Sequence, residues 1–200
     1  MPERPVTEIS MAGSLLPRRI LLASLGTLGL LAGTRRARAL SLDSLADALE
    51  RVHPPAAPPA FSFKTATGAR QTLADYRGQG LVLNIWASWC GPCIAEMPSL
   101  DALAASIAPF GIAVLPVSID TQGLAAVKSF YAANRIDHLP MLLDPDGDVA
   151  HAFKIDGIPT TYIIDRSGRI TGRVEGAVRW DTKKSIAMLR DLVQPVSQSG

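Results

Sequence analysis

A chain of 200 residues with 48% hydrophobic and 19% charged side chains is long enough for one core-bearing domain with an extension, and too apolar to be disordered. The formal net charge of +2 is unevenly spread: residues 1–39 hold six arginines and two glutamates, whereas residues 40–200 hold 14 Lys+Arg against 16 Asp+Glu. The basic character belongs to the N-terminus, so the body offers no basic patch for nucleic acid, and that partner class is set aside.

Arg18-Arg19 precede an apolar run, Ile20 to Gly33, followed by Ala37-Arg38-Ala39. That order of basic, apolar and small residues is the order of an export signal, and the run is short of the roughly 20 residues that span a membrane. Residues 1–39 are therefore read as an export leader, with the arginine pair resembling a twin-arginine signal. Two fates stay open: removal, or retention as a membrane anchor. Either places the folded part in an oxidising compartment, the bacterial periplasm, where cysteines tend to pair.

Residues 40–60 are expected to hold a short helix, Leu42 to Val52, and a proline-rich extended linker, "HPPAAPPA". The compact domain is expected over 61–195. "FSF" (61–63) alternates like a short strand. "GLVLNIWA" (80–87) reads as a buried central strand, with a helix after it from Pro92 to Ile107. A second buried strand spans 111–120, a helix 124–135, an extended segment 141–144 and a helical turn 149–153. Strands over 160–165 and 169–176 flank a turn at 166–168, forming a hairpin that supplies an antiparallel edge. A last amphipathic helix, 180–193, has Asp181 as its expected cap. The fold class is α/β: one mixed sheet with helices on both faces.

The chain has two cysteines, Cys90 and Cys93, between the first long strand and its helix. A zinc site needs four ligands, and His53, His138 and His151 are not at ligand spacing from the pair. A structural disulfide usually closes a longer loop. A C-x-x-C at a strand-to-helix turn within a βαβ unit is a redox signature. There the helix N-terminus stabilises a Cys90 thiolate, Gly91 permits the turn, and Pro92 suits the first helical turn. Cys90 is thus the expected exposed nucleophile and Cys93 the resolving thiol.

"WASWCGPC" resembles the thioredoxin active site. "LVLNIWASWCGPCIAEMPSLDAL" together with "DGIPTTYIID" resembles, more narrowly, the exported TlpA/ResA/CcmG-like thiol-disulfide oxidoreductases. The resemblance covers about 61–193 and implies a thioredoxin-like fold. It implies that Ile158–Pro159 is a cis-proline loop opposite the cysteines, at which a client peptide binds as an added strand; from the residues alone, an ordinary trans proline is the default. It also puts Trp86 at the base of the site and Trp89 beside Cys90, in contact with substrate.

Where thioredoxin has a buried aspartate, this chain has Asn84, which cannot ionise. The resemblance offers Glu96, three residues after Cys93, as the replacement: partly desolvated, with a raised pKa, it would help deprotonate Cys93. The alternative for Glu96 is a solvated carboxylate favouring the helix N-terminus. Pro98 should kink the helix. "DPDGD" (144–148) lacks calcium-loop spacing and reads as a turn. A peroxidase would want Thr or Ser where Ala87 stands.

The resemblance implies a dithiol reductase of partner-protein disulfides, with no cofactor beyond the Cys90–Cys93 disulfide and no metal. Its implied clients are exported proteins such as apocytochrome c or oxidase assembly factors, and a membrane thiol donor of the DsbD/CcdA type would re-reduce it. Gly91-Pro92 is the thioredoxin dipeptide, from the reducing end of a range running from about −270 mV for thioredoxin to about −120 mV for DsbA. A disulfide oxidase or isomerase, and a copper-binding assembly factor without turnover, are the alternatives.

Overall fold

The structure is a computed structural model, and it describes residues 42–195. The expected leader over 1–39 lies outside the described residues. The chain enters through β1 (Asp43–Ser44) and one turn of helix, α1 (Leu45–Ala48), then runs into β2 (Leu49–Ala56). The short strands β3 (Phe63–Thr65) and β4 (Arg70–Gln71) come next, and then the central strand β5 (Gly80–Trp86). The order continues α2 (Gly91–Ile107), β6 (Ile112–Ser118), α3 (Leu124–Asn134), β7 (Leu142–Leu143), α4 (Asp148–Phe153). It ends with the hairpin β8 (Thr160–Ile164) and β9 (Ile170–Glu175), then β10 (Val178–Arg179) and α5 (Lys183–Leu192).

Eight strands form one mixed sheet in the order β2-β9-β8-β5-β6-β7-β3-β4, and β1 and β10 form a separate parallel pair. β5 pairs in parallel with β6 on one side and antiparallel with β8 on the other. Every residue of β5 is buried, as a strand covered on both faces requires. Alternation along it splits the core in two. Val82 and Trp86 face a cluster with Met97, Leu100 and Leu103 of α2, Phe130 of α3 and Leu189 of α5. Leu81, Leu83 and Ile85 face the other cluster, with Leu115, Tyr162, Phe63 and Val149 of α4. The fold is thioredoxin-like.

The main departures from expectation lie before β5 and around the last helix. The expected helix 42–52 is one turn only, because Leu49–Ala56 pairs antiparallel with β9 in place of continuing it. The proline-rich segment is therefore partly an edge strand, and the β8–β9 hairpin does not form the edge. Pro54 and Pro55 fall where the β2–β9 register shifts, between Arg51 and Ala56, an irregularity that an edge strand tolerates because it needs partners on one side only. The Arg169 guanidinium donates to Pro55 O at 2.6 and 3.0 Å. The last helix begins at Lys183, capped by Thr182 and not Asp181: the Thr182 hydroxyl accepts the Ser185 N–H at 3.0 Å. α2 runs through Pro98 unbroken.

Gly80 shows how tightly α5 closes on the sheet. A Cβ there would lie 2.5 Å from Val193 Cβ, inside any real contact, and Val193 is fully buried. Gly80→Ala should lower stability by about 1–3 kcal/mol. Adding Val193→Gly, which removes that Cβ and both methyls, should recover part of that loss, so a denaturant-melt double-mutant cycle should show a favourable coupling.

Candidate active site

Cys90 ends the loop after β5 and is the N-cap of α2: its Sγ accepts the Cys93 N–H at 3.2 Å. A sulfur takes the place that a Ser or Asp oxygen usually fills. Cys90 and Cys93 are disulfide-bonded, with Cα atoms 5.2 Å apart. When reduced, Cys90 would hold its thiolate against the unpaired N–H groups of the helix start, the environment that lowers a thiol pKa. Cys90 is 6% exposed and Cys93 not at all. Cys90 is thus the more accessible sulfur but is nearly covered in the disulfide, contrary to the open position expected. Ile158 O lies 3.5 Å from its Sγ. The surroundings on the helix side are open: Gly91, Pro92 and Ile94 are exposed, and Trp89 is 68% exposed.

The Ile158–Pro159 peptide is cis. Pro159 O accepts the Gly176 N–H at 2.9 Å, which ties this loop to the end of β9. A groove of about 330 Å³ runs beside it, lined by Gly157, Ile158, Pro159, Thr160 and Gly176, with Asp156 and Glu175 at its rim.

Glu96 is fully buried, not partly desolvated as expected. Its Oε1 accepts from Asn84 Nδ2 at 2.9 Å, and its Oε2 accepts from Val178 N at 3.2 Å and from Trp180 Nε1 at 3.0 Å. Burial pushes its pKa up to about 7, and the bonds from Trp180, Val178 and Asn84 oppose that rise. None of the ion pairs among the described residues includes it. Asn84 Nδ2 also donates to Thr161 Oγ1 at 2.9 Å, and its Oδ1 has no partner among the described residues. A half-turn of that amide puts Oδ1 where Nδ2 stands, able to accept a hydrogen bond from the O–H of neutral Glu96. One side chain can thus serve both charge states of the acid.

Trp86 is fully buried and packs on Phe130 and Tyr131, with ring centroids 5.1 and 6.0 Å away. It supports the site from below, inside the core. Sequence reasoning missed three contributors. Trp180, expected as the first residue of the last helix, precedes it, and its buried indole donates to Glu96; a tryptophan offers such a donor, but the sequence does not show where it points. Val178 contributes a backbone N–H, which carries no sequence signal. Asp120, just after β6, accepts from Ser88 N at 2.9 Å, Ser88 Oγ at 2.7 Å and Ser118 Oγ at 2.7 Å. It fixes the loop that leads to Trp89 and Cys90.

His138 does not join the cysteines in any metal-holding cluster of His, Cys, Asp or Glu among the described residues. Its Nδ1 lies 2.9 Å from Asp101 Oδ2, and that carboxylate holds the imidazole pKa above its ordinary value. Asp101 Oδ1 also accepts the N–H groups of Asp137, His138 and Leu139.

A model of the AhpC/TSA family matches residues 55–173. The thiol-disulfide oxidoreductase ResA of Geobacillus kaustophilus is 30% identical over 137 residues, 68% of this chain and 76% of that protein. ResA of Bacillus subtilis is 29% identical over 142 residues, 71% of this chain and 76% of that protein. Among solved structures, the thiol:disulfide interchange protein DsbE from Chlorobium tepidum superposes with a TM-score of 0.61 at 26% identity, covering 70% of this chain and 98% of that one. StoA from Bacillus subtilis superposes with a TM-score of 0.55 at 25% identity, covering 70% and 100%.

The raised pKa of Glu96 has a consequence for stability. Its folded value of about 7 exceeds the reference 4.5, so the folded state holds the proton more tightly. The resulting stabilisation is full below about pH 4.5 and is lost as pH rises through about 7, a loss on the order of 3 kcal/mol. In denaturant melts of the oxidised protein, Glu96→Gln should flatten that part of the stability–pH curve. An unaltered slope between those two values would mean that Glu96 titrates normally.

Proposed function

The chain belongs to the AhpC/TSA family and is a thiol-disulfide oxidoreductase of the ResA and CcmG type; from that footing we propose that it is an exported dithiol reductase, acting in the periplasm on disulfides of partner proteins. The observation that carries this reading is the asymmetry of the pair. Cys90 caps α2 beside the Ile158–Pro159 loop and keeps a small exposed fraction, whereas Cys93 is sealed in the core one turn before buried Glu96.

In the proposed cycle the Cys90 thiolate attacks one sulfur of a client disulfide. A Cys90–client bond forms, the client S–S bond breaks, and the second client sulfur leaves as a thiolate that takes a proton. Glu96 as carboxylate accepts the Cys93 proton. The Cys93 thiolate then attacks Cys90 Sγ, the Cys90–Cys93 bond forms and the client's first sulfur is released. Two electrons pass from the protein to the client, which leaves as a dithiol. A pKa of about 7 suits Glu96 to this step, because the acid then takes up and returns a proton near neutral pH. The chemistry needs no cofactor beyond the disulfide. An external dithiol must restore the reduced state, and a membrane donor of the DsbD/CcdA type would fill that place.

Trp89, Ile94 and Ile158 border the disulfide and form the surface on which a client segment would lie, with its backbone along the cis-proline loop. The arginine pair and apolar run at 18–33 support export. Among the described residues no helix is long and apolar enough to cross a membrane. Gly91-Pro92 favours the reducing direction, and apocytochrome c and oxidase assembly factors are the proposed clients.

Cys93→Ser should leave clients attached to Cys90 as mixed disulfides, visible on non-reducing gels and absent when Cys90 is also replaced. The pair's reduction potential should lie below about −200 mV; a value above about −150 mV would make the protein an oxidant and reverse the proposed direction. Tight copper binding by the reduced thiols, with no turnover of insulin disulfides, would support an assembly factor instead.

A further inference from the structure

The segment ahead of the large sheet does more than lead into it. β1 pairs in parallel with β10, Asp43 opposite Val178 and Ser44 opposite Arg179. Among the described residues β1 is the only strand β10 pairs with. β10 and the residue after it supply two of the three donors on Glu96, the Val178 N–H and the Trp180 indole. Two other bonds hold this stretch: Ser185 Oγ donates to Arg179 O at 3.1 Å, and Trp180 N donates to Ser99 Oγ at 3.3 Å. Directly after β1, Leu45 is fully buried in the core cluster that contains Val178, Trp180, Met97 and Cys93.

We propose that Asp43–Ala48 is a clip belonging to the redox site, and that Leu45 is a positioning residue which keeps water from Glu96 and holds β10 where its donors reach that carboxylate. This rests on Glu96 being the proton acceptor for Cys93. The environment of Glu96 makes it sensitive to such a seal, because desolvation is the largest influence on it.

The groups acting on Glu96 from its neighbours are uncharged: the Asn84 amide from β5, the Val178 N–H from β10 and the Trp180 ring. On α2 itself the titratable groups are Cys93, held in the disulfide, and Asp101, engaged by the 137–139 backbone and His138. On α5, Lys183, Lys184, Arg190 and Asp191 are exposed, as are Asp43 and Asp47 on the clip. Arg179 and Asp181 pair with each other. Water admitted past Leu45 would therefore be the main new influence, and it would favour the carboxylate.

The test is a carboxyl NMR titration of the oxidised full chain, in which the thiols do not titrate and Glu96→Gln assigns the signal. The unsubstituted chain should titrate near pH 7. Leu45→Ser, with Leu45→Ala as the milder variant should the first not fold, should lower that midpoint by about one unit or more toward the ordinary glutamate range. Leu115→Ala, a core truncation on the opposite face of the sheet, should lower the melting temperature and leave the midpoint in place. An unmoved midpoint in both Leu45 variants, with thermal destabilisation like that of Leu115→Ala, overturns the clip. A midpoint already in the ordinary glutamate range without substitution overturns the Glu96 reading instead.

Discussion

Glu96 carries a carboxylate into the core with no cation to meet it among the described residues, and much of the molecule is arranged around that. An ionised carboxyl away from water is tolerated when hydrogen bonds replace its hydration, and otherwise takes up a proton. Three N–H donors converge on it from three places in the chain: β5, β10 and the residue that follows β10. They are enough to admit the charge and too few to make it as easy as in water. The acid is left poised near neutrality, which is where a proton acceptor for a thiol is useful. The same geometry ties α2, the central strand and the C-terminal segment together, so the Glu96 site is also a structural joint.

The opposite end of the redox pair follows a different rule. Cys90 sits against a helix N-terminus, at the end of the loop that Asp120 holds in place. On the proposed reading, its thiolate would be held by backbone dipoles at the helix start, whereas deprotonation of Cys93 would rely on a side chain in the core. The two sulfurs are three residues apart and belong to two electrostatic regimes, which is what makes attack and resolution separate steps.

How much of this was legible in the sequence depended on the range of the forces involved. Strand β5, helix α2 and the place of Cys90 at its start follow from local patterns: an unbroken apolar run, then Gly-Pro at a helix start. Leu49–Ala56 did not follow. Its local pattern reads as helix and proline linker, and it is a strand only because β9, more than a hundred residues later, offers a free edge. Glu96 came into view through the family resemblance, but its full burial did not, because the covering groups come from Val178, Trp180 and the Leu45 cluster. Backbone donors and long-range cover leave no signature at the residue they act upon.

Asn84 and Glu96 also constrain each other. Asn84 Nδ2 and Glu96 Oε1 are 2.9 Å apart. With an aspartate at 84, two carboxylates would share that space, and one of them would be forced to keep its proton well above neutrality. The acid can therefore sit on the strand or on the helix, but not on both. This chain places it on the helix, one turn beyond Cys93, and fills the strand position with an amide that can present a donor or an acceptor. The loss of an ionisable group at 84 is in this sense the condition for Glu96 to titrate in a useful range.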